Sequence, residues 1–222
     1  MVTEISNLIN KIPNYIYNIN NNITSRSISD PTLLPPRDSK YSFTVFFDID
    51  DTLITSKMYY IKKQNIVAIC FLRKNLIEIL KKIKSLNVEI IVWSAAHKIH
   101  VDNFLETIDS DKSLIDYAIS NGDSWCINNI PNKNLEFCNN RKSSSILFDD
   151  NIMASVINGK NTICIPKFEL VMYDYDDVLY NIYDIICWSV QTKSEPHNHK
   201  YVKCTYSNVN DADIYCLQTV LN

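Results

Sequence analysis

The sequence predicts an α/β fold, a doubly wound parallel sheet with a short β-hairpin inserted after the first strand. Three observations carry this expectation. Short apolar runs such as Ser42–Ile49 (SFTVFFDI) and Val88–Trp93 (VEIIVW) have the length and β-branching of strands buried on both faces. Segments with helical spacing lie between such runs, as in Arg73–Leu86, where Leu76, Ile77, Leu80, Ile83 and Leu86 recur on one side. The two patterns alternate as far as Val190, the order that builds a parallel sheet with helices on its faces.

Taken in chain order, residues 1–40 read as a polar, flexible arm. Asn18–Asn22 is almost all asparagine, and Asp30–Pro36 carries prolines that no helix crosses. A short helix over Ile5–Ile12 is the one regular element expected there. Residues 41–190 read as the main folded domain. After the first strand, Lys57–Phe71 reads as the hairpin, with its turn at Lys63-Gln64-Asn65. The helix Arg73–Leu86 follows, then a strand at Val88–Trp93, a helix over Ala96–Ile108 and a short strand at Tyr117–Ile119. Strands at Ser145–Phe148 and Thr162–Ile165 precede a closing helix, Asp176–Val190, whose acidic start suits the positive end of its dipole. Residues 191–222 form a C-terminal extension in which Asn210 or Asp211 is placed to cap a short helix through Leu221.

Composition narrows the function classes. Hydrophobic residues make up 46% and charged residues 21% of the 222, as in globular proteins. The two glycines, Gly122 and Gly159, exclude a glycine-rich phosphate loop. A net charge of −3 gives no basic field for nucleic acid, so a nucleic acid is not expected as a direct ligand. Seven cysteines without CxxC spacing suit neither a disulfide framework nor a zinc module, and they fit small core residues in a reducing compartment. Without a signal-type or membrane-length apolar block, the expectation is a soluble intracellular protein, with nucleus and cytoplasm not distinguished.

The chemistry sits at strand ends, where ligands bind in open α/β sheets. The first strand ends in Asp48-Ile49-Asp50-Asp51-Thr52, the second in Trp93-Ser94 and the fourth in Phe148-Asp149-Asp150-Asn151. Parallel pairing would converge these side chains on one site suited to phosphoryl transfer. Asp48 is the expected nucleophile, since a carboxylate attacking phosphorus divides one displacement into two easier ones. Asp50, two residues on, is the expected general acid and then base. Mg2+ takes an octahedral oxygen shell with few protein ligands, here Asp48, the backbone carbonyl of Asp50, and Asp149 or Asp150. Thr52 and Ser94 offer hydroxyls to orient phosphate oxygens. One lysine, Lys133 or Lys142, should face the transferring group.

These motifs resemble the haloacid dehalogenase superfamily, in its RNA polymerase II C-terminal-domain phosphatase-like branch. FFDIDDTL at Phe46–Leu53 resembles the branch's hydrophobic-DxDxT-L signature, with Asp51 where Glu is usual. IIVWSAAHKIHVDNFL at Ile90–Leu105 resembles the second motif, with Ser94 in the usual Thr position. Lys133-Asn134-Leu135 resembles the third, which favours Lys133 over Lys142, and SILFDDN at Ser145–Asn151 resembles the fourth. Leu33-Leu34-Pro35-Pro36 and Phe71-Leu72-Arg73 fit the same pattern, which spans about Leu33 to Trp188. The resemblance implies a haloacid dehalogenase-like Rossmannoid fold and a Mg2+-dependent phosphoric monoester hydrolase. It implies a phosphoserine or phosphothreonine protein as substrate and a phospho-aspartyl intermediate. The short hairpin, the lack of arginine in Asn121–Cys126 and Lys74 in place of the usual Pro depart from the pattern and bear on substrate choice.

Other features have plainer readings. Tyr59, Tyr60 and Phe71 could wall a groove for a proline-containing peptide, or pack the hairpin on the sheet. His97 and His100 are expected as solvated surface residues. His197-Asn198-His199 with Cys204 lacks four-ligand zinc spacing, and Tyr173 and Tyr175 read as packing residues. Alternatives to a protein phosphatase are a nucleotide or polynucleotide-end phosphatase and a non-catalytic scaffold. The joint presence of Asp48, Asp50, Lys133 and Asp149 favours an enzyme.

Overall fold

Strands and helices follow one another in the order the alternation predicts. The computed structural model describes residues 11–18, 25–61, 65–127, 130–139, 141–207 and 212–218. Its strands are β1 (Asn14–Asn18), β2 (Phe43–Phe47), β3 (Ile54–Ile61), β4 (Asn65–Leu72), β5 (Val88–Trp93) and β6 (Tyr117–Ile119). They continue as β7 (Cys126–Ile127), β8 (Ile130–Pro131), β9 (Ser145–Asp149), β10 (Thr162–Cys164), β11 (Val202–Ser207) and β12 (Ala212–Leu217). Among the described residues the α-helices are α1 (Leu76–Lys84), α2 (Lys98–Ile108), α3 (Ile152–Asn158) and α4 (Val178–Thr192).

Seven strands pair in the order β11-β12-β10-β9-β2-β5-β6. Every pairing is parallel except that of β11 with β12. The three central strands carry continuous apolar runs because each is buried on both faces, and alternate residues enter different cores. Val45, Phe47, Ile90, Val92, Ile146 and Phe148 pack with α1, α2 and α4. Phe46, Ile91, Trp93 and Leu147 point the other way, against α3 and irregular chain at Leu34, Trp125, Leu135 and Cys138. An edge-on contact of Trp93 with Trp125, 5.3 Å between ring centres, anchors that irregular layer.

Local chemistry sets the element ends. In α1, Leu76, Ile79, Leu80 and Ile83 are buried and three lysines occupy the last turn, opposite in sign to the helix dipole there. Ile77, expected on the apolar side, is partly exposed instead. With few glycines available, Asn and Asp take left-handed turns: Asp51, Asn75, Asn87 and Asn139 all have φ between 48° and 61°. Gly122 answers a different need, since a Cβ there would lie 1.9 Å from the Ser29 carbonyl oxygen. That close approach lets residues 26–29 run along the β6 edge. Ile28 bridges Ile119, and Asp102 accepts from the backbone amides of Arg26 and Ser27 at 2.9 and 2.8 Å.

The sequence expectation and the structure differ at both ends. The chain before the first sheet strand contributes β1, which pairs antiparallel with β4, so the hairpin becomes a three-stranded sheet. The helix expected over Ile5–Ile12 falls, for residues 5–10, outside the described residues. So do the expected hairpin turn positions Lys63 and Gln64 and the proposed caps Asn210 and Asp211. The C-terminal helix is not formed over 212–217, where the chain is the strand β12. Ile214 and Leu217 are buried there, and β12 covers the outer edge of β10 that would otherwise present unpaired backbone groups.

One charge inside the sheet was not anticipated. Glu89, the second residue of β5, is 1% exposed, and its two carboxylate oxygens accept from Arg141 Nε and Nη2 at 2.8 and 2.9 Å. Thr44 Oγ1 of the neighbouring strand donates to it at 2.7 Å. Removing one partner of such a pair strands a buried charge. Arg141→Met is therefore expected to cost about 3–5 kcal/mol in urea unfolding, and Arg141→Met combined with Glu89→Met to regain most of it.

Candidate active site

The carboxyl ends of β2, β5 and β9 meet at one edge of the sheet. Asp48 follows β2, and its amide donates to the Phe148 carbonyl at 3.0 Å, carrying the strand pairing up to the first carboxylate. Asp149 ends β9 and Ser94 follows β5. Together with Asp50, Asp150 and Lys133 they line a cleft of about 300 Å³.

Lys133 enters from the loop after β8 and is 5% exposed. Its ammonium group pairs with Asp48 Oδ1 and lies 2.8 Å from Asp149 Oδ2. Burial alone would discharge this lysine, yet Asp149 and then Asp48 hold its pKa above the ordinary value. Burial raises the Asp48 carboxyl well above the usual range, Lys133 opposes that, and Asp149 adds to it. Asp150 is raised by burial and then by Asp149 and Asp51. The site is thus short of positive charge: one lysine faces three acids.

Oxygen atoms of Asp48, Asp149 and Asp150 all lie within 4.8 Å of one another, and among the described residues no other such His, Cys, Asp and Glu group occurs. Three hard oxygen donors beside an open cleft are the donor set that suits Mg2+, and the surplus of acid is what a divalent cation would relieve. The Asp50 carboxylate lies outside that group. It accepts from Ser94 Oγ at 3.1 Å, and His100 Nε2 lies 2.9 Å from its other oxygen. Burial would raise Asp50, but the His100 hydrogen bond and charge bring it below the ordinary value.

The hydroxyls expected to orient phosphate are engaged elsewhere. Thr52 is fully buried, accepts from the Asp150 amide at 3.2 Å and donates to Asp150 Oδ1 at 3.4 Å, so it ties the β2 loop to the β9 loop. Ser94 does line the cleft, and its Oγ also accepts from the Ala96 amide at 3.0 Å. Lys142 stands apart, paired with Glu136 at 2.7 Å.

Several residues important to this geometry escaped sequence reasoning. His97 is exposed, as expected, but His100 is buried against Asp50, contrary to the surface reading. An i+3 partner to the helix start was a usable signal, but it needed the strand-end geometry to name Asp50. Arg73, 2% exposed, donates to Asp176 Oδ2 at 2.8 Å, to the Thr52 carbonyl at 2.9 Å and to the Pro166 carbonyl at 3.0 Å, bracing the β2 loop from behind. Asn158, the last residue of α3, holds the lysine loop: its amide group donates to the Lys133 carbonyl at 2.8 Å and accepts from the Leu135 amide at 3.0 Å.

The peripheral candidates resolve less favourably for ligand binding. Phe71 is fully buried with Ile12 and Ile69, which removes it from any peptide groove, and the side chains of Tyr59 and Tyr60 lie outside the described residues. Tyr173 packs against the same cluster, whereas Tyr175 is exposed. His197 and His199 make ring contacts with Tyr215 and with Trp188 and Tyr201.

Comparison with known proteins agrees with the motif resemblance. The family model described as NLI interacting factor-like phosphatase, of the haloacid dehalogenase type, matches residues 43–196, well over half the chain. The fission yeast RNA polymerase II CTD phosphatase Fcp1, in a form bound to beryllium fluoride, is similar with a TM-score of 0.48 and 14% identity over 70% of this chain. This chain covers 52% of that one, so it spans about half its length. A second structure of Fcp1, described as an essential RNA polymerase II CTD phosphatase, gives a TM-score of 0.51 and 12% identity over 72% of this chain and 68% of that one. At such identity the likeness to this second structure is one of fold alone. No curated protein matches the sequence. Among the described residues no helix is long and apolar enough to cross a membrane.

The Asn158 clamp has a measurable consequence. Asn158→Ala leaves the Leu135 amide and the Lys133 carbonyl without that partner, at about 1–3 kcal/mol. The expected outcome is a lower urea midpoint together with weakened protection of the Leu135 amide from hydrogen exchange.

Proposed function

The chain belongs to the NLI interacting factor-like phosphatase family, and we propose that it is a Mg2+-dependent phosphatase that works through a phospho-aspartyl intermediate on Asp48. The observation that carries this reading is the group of Asp48, Asp149 and Asp150 around the Lys133 ammonium, with Asp50 beside them at the cleft.

When bound by Asp48, the Asp50 backbone carbonyl and Asp149 or Asp150, Mg2+ supplies positive charge that offsets the acids and the phosphate dianion. The protein's own groups do the rest. In the first displacement an Asp48 oxygen bonds to phosphorus as the bond to the leaving oxygen breaks, and Asp50 gives that oxygen its proton. In the second, Asp50 takes a proton from water as the water oxygen bonds to phosphorus and the Asp48 bond breaks. Phosphate departs and Asp48 is restored. Lys133 holds the nucleophile and faces the charge that gathers on the transferring oxygens. Ser94 and Thr52 act through Asp50 and Asp150, the carboxylates they hold.

The proposed substrate is phosphoserine or phosphothreonine in a protein or peptide. Two features support this reading besides the family. The cleft is acidic and the chain carries a net charge of −3, which disfavours a polynucleotide. Exposed apolar residues stand next to cleft-lining ones, Ile130 beside Pro131 and Ile152 beside Asn151, and they suit the side chains that flank a phosphorylated residue. Residues 41–190 are proposed as the catalytic domain, and the segments on either side as its extensions.

Hydrolysis of an aryl phosphate tests the chemistry. Turnover should require Mg2+, vanish with EDTA and vanish in Asp48→Asn. Lys133→Ala should lose about 10²–10³-fold in kcat, the scale seen when a stabilising donor is removed. Mg2+ at about one hundred times its Kd should stabilise the wild type by about 2.7 kcal/mol, an effect absent in Asp149→Asn. A folded wild type that takes up Mg2+ but hydrolyses neither the aryl phosphate nor phosphopeptides would mark a binding scaffold.

A further inference from the structure

Asp50 has a fixed setting and an open face. Ser94 Oγ donates to Oδ2 at 3.1 Å, and His100 Nε2 lies 2.9 Å from Oδ1. The Asp50 side chain nevertheless stays 42% exposed, whereas that of His100 is 10% exposed. The proton that Asp50 gives and takes is the one facing the cleft, so on the side of the ring Oδ1 accepts and the imidazole presents an Nε2–H to it. The ring cannot drift far. His100 lies in the first turn of α2, and the residues that follow it on the buried face, Val101 and Phe104, are fully enclosed in the core.

We propose that His100 is a positioning residue for the acid–base step: with Ser94 it clamps both oxygens of Asp50, so that the carboxyl faces the cleft where proton transfer takes place. The inference rests on the reading of Asp50 as the acid–base group. Proton transfer requires the acid within about 2.6–3.2 Å of the leaving oxygen. A single hydrogen bond from Ser94 would leave the carboxyl free to turn about its terminal bond. A second donor on the other oxygen fixes its plane, while the remaining lone pairs stay available to the cleft. Through both displacements the shuttled proton moves between Asp50 and the leaving oxygen or water, and His100 keeps its own.

A general acid matters in proportion to how poor the leaving group is, and that separates positioning from a merely structural role. The experiment follows single-turnover release of the leaving group, with Mg2+, from a phosphoserine peptide and from dinitrophenyl phosphate. The alkoxide of the first needs a proton and the phenolate of the second does not. Asp50→Asn should slow the peptide by about 10²–10⁴-fold and the dinitrophenyl ester far less. His100→Leu should slow the peptide by about 10–100-fold while leaving the ester within about threefold. His100→Gln, which restores an N–H donor, should recover most of the peptide rate. If a melting curve shows that His100→Leu does not fold, His100→Asn replaces it, since its shorter amide cannot reach Oδ1.

Equal loss on both substrates in a folded His100 variant, no loss on either, or a His100→Gln no better than His100→Leu would overturn the inference while leaving Asp50 as the acid. An Asp50→Asn variant indifferent to the leaving group would overturn the acid–base reading, and the role of His100 with it.

Discussion

Parallel pairing of β2 with β9 brings Asp48 and Asp149 together at the sheet edge, where both are nearly withdrawn from water. Two like charges about 4 Å apart repel by about 4 kcal/mol at an effective dielectric of 20, before the cost of burying them is counted. The Lys133 ammonium between them makes the arrangement tolerable. Much of the local architecture follows from delivering that one cation. The strand pair β7–β8 leads the chain back toward the sheet, Leu135 is fully buried beside it, and Asn158 fastens the lysine loop from the end of α3. With Asp150 added, the balance is still acidic, and a divalent cation would relieve that deficit.

The two layers over the sheet do different work. One is regular, with α1, α2 and α4 burying continuous apolar faces. The other is mostly irregular chain, and so needs particular residues where a helix would need only a pattern. Trp125 fills the space beside Trp93, and its Nε1 donates to the carbonyls of Ser29 and Ser120, both at 3.2 Å. Gly122 admits the Ser29 backbone, and Asp102 receives the amides of residues 26 and 27. This layer carries Lys133, so the part of the fold with the least periodic sequence holds the cation on which the acids depend.

The central strands and helices were legible because their periods are local. A buried parallel strand shows an apolar run, a two-sided helix shows recurring residues, and both signals survive in a single sequence. Val88–Trp93 and Tyr117–Ile119 coincide with β5 and β6, and the carboxylates expected at strand ends are found there. The ends of the chain were less legible. β1 and β12 each depend on a partner strand distant in sequence, β4 and β10, and β11 is held by β12 as its hairpin neighbour. A capping signal near residue 210 has nothing to set against that pairing energy. Phe71 was ambiguous for the same reason, since its partners Ile12 and Leu170 lie far away along the chain.

By itself, then, the sequence determined the class of fold, the order of its central elements and the identity of the acids, because strand periodicity and strand-end carboxylates are written in neighbouring residues. Tertiary structure set Lys133, which the motif resemblance favoured over Lys142, between those acids, and it alone decided that His100 faces Asp50 instead of water, that Thr52 joins two loops beneath the cleft, and that Glu89 finds Arg141 within the sheet. Each of these is a pairing between charges or hydrogen-bonding groups far apart in the chain. No local pattern encodes such a pairing, because its energy exists only once the parallel sheet has brought the two groups within a few ångströms and excluded water from between them.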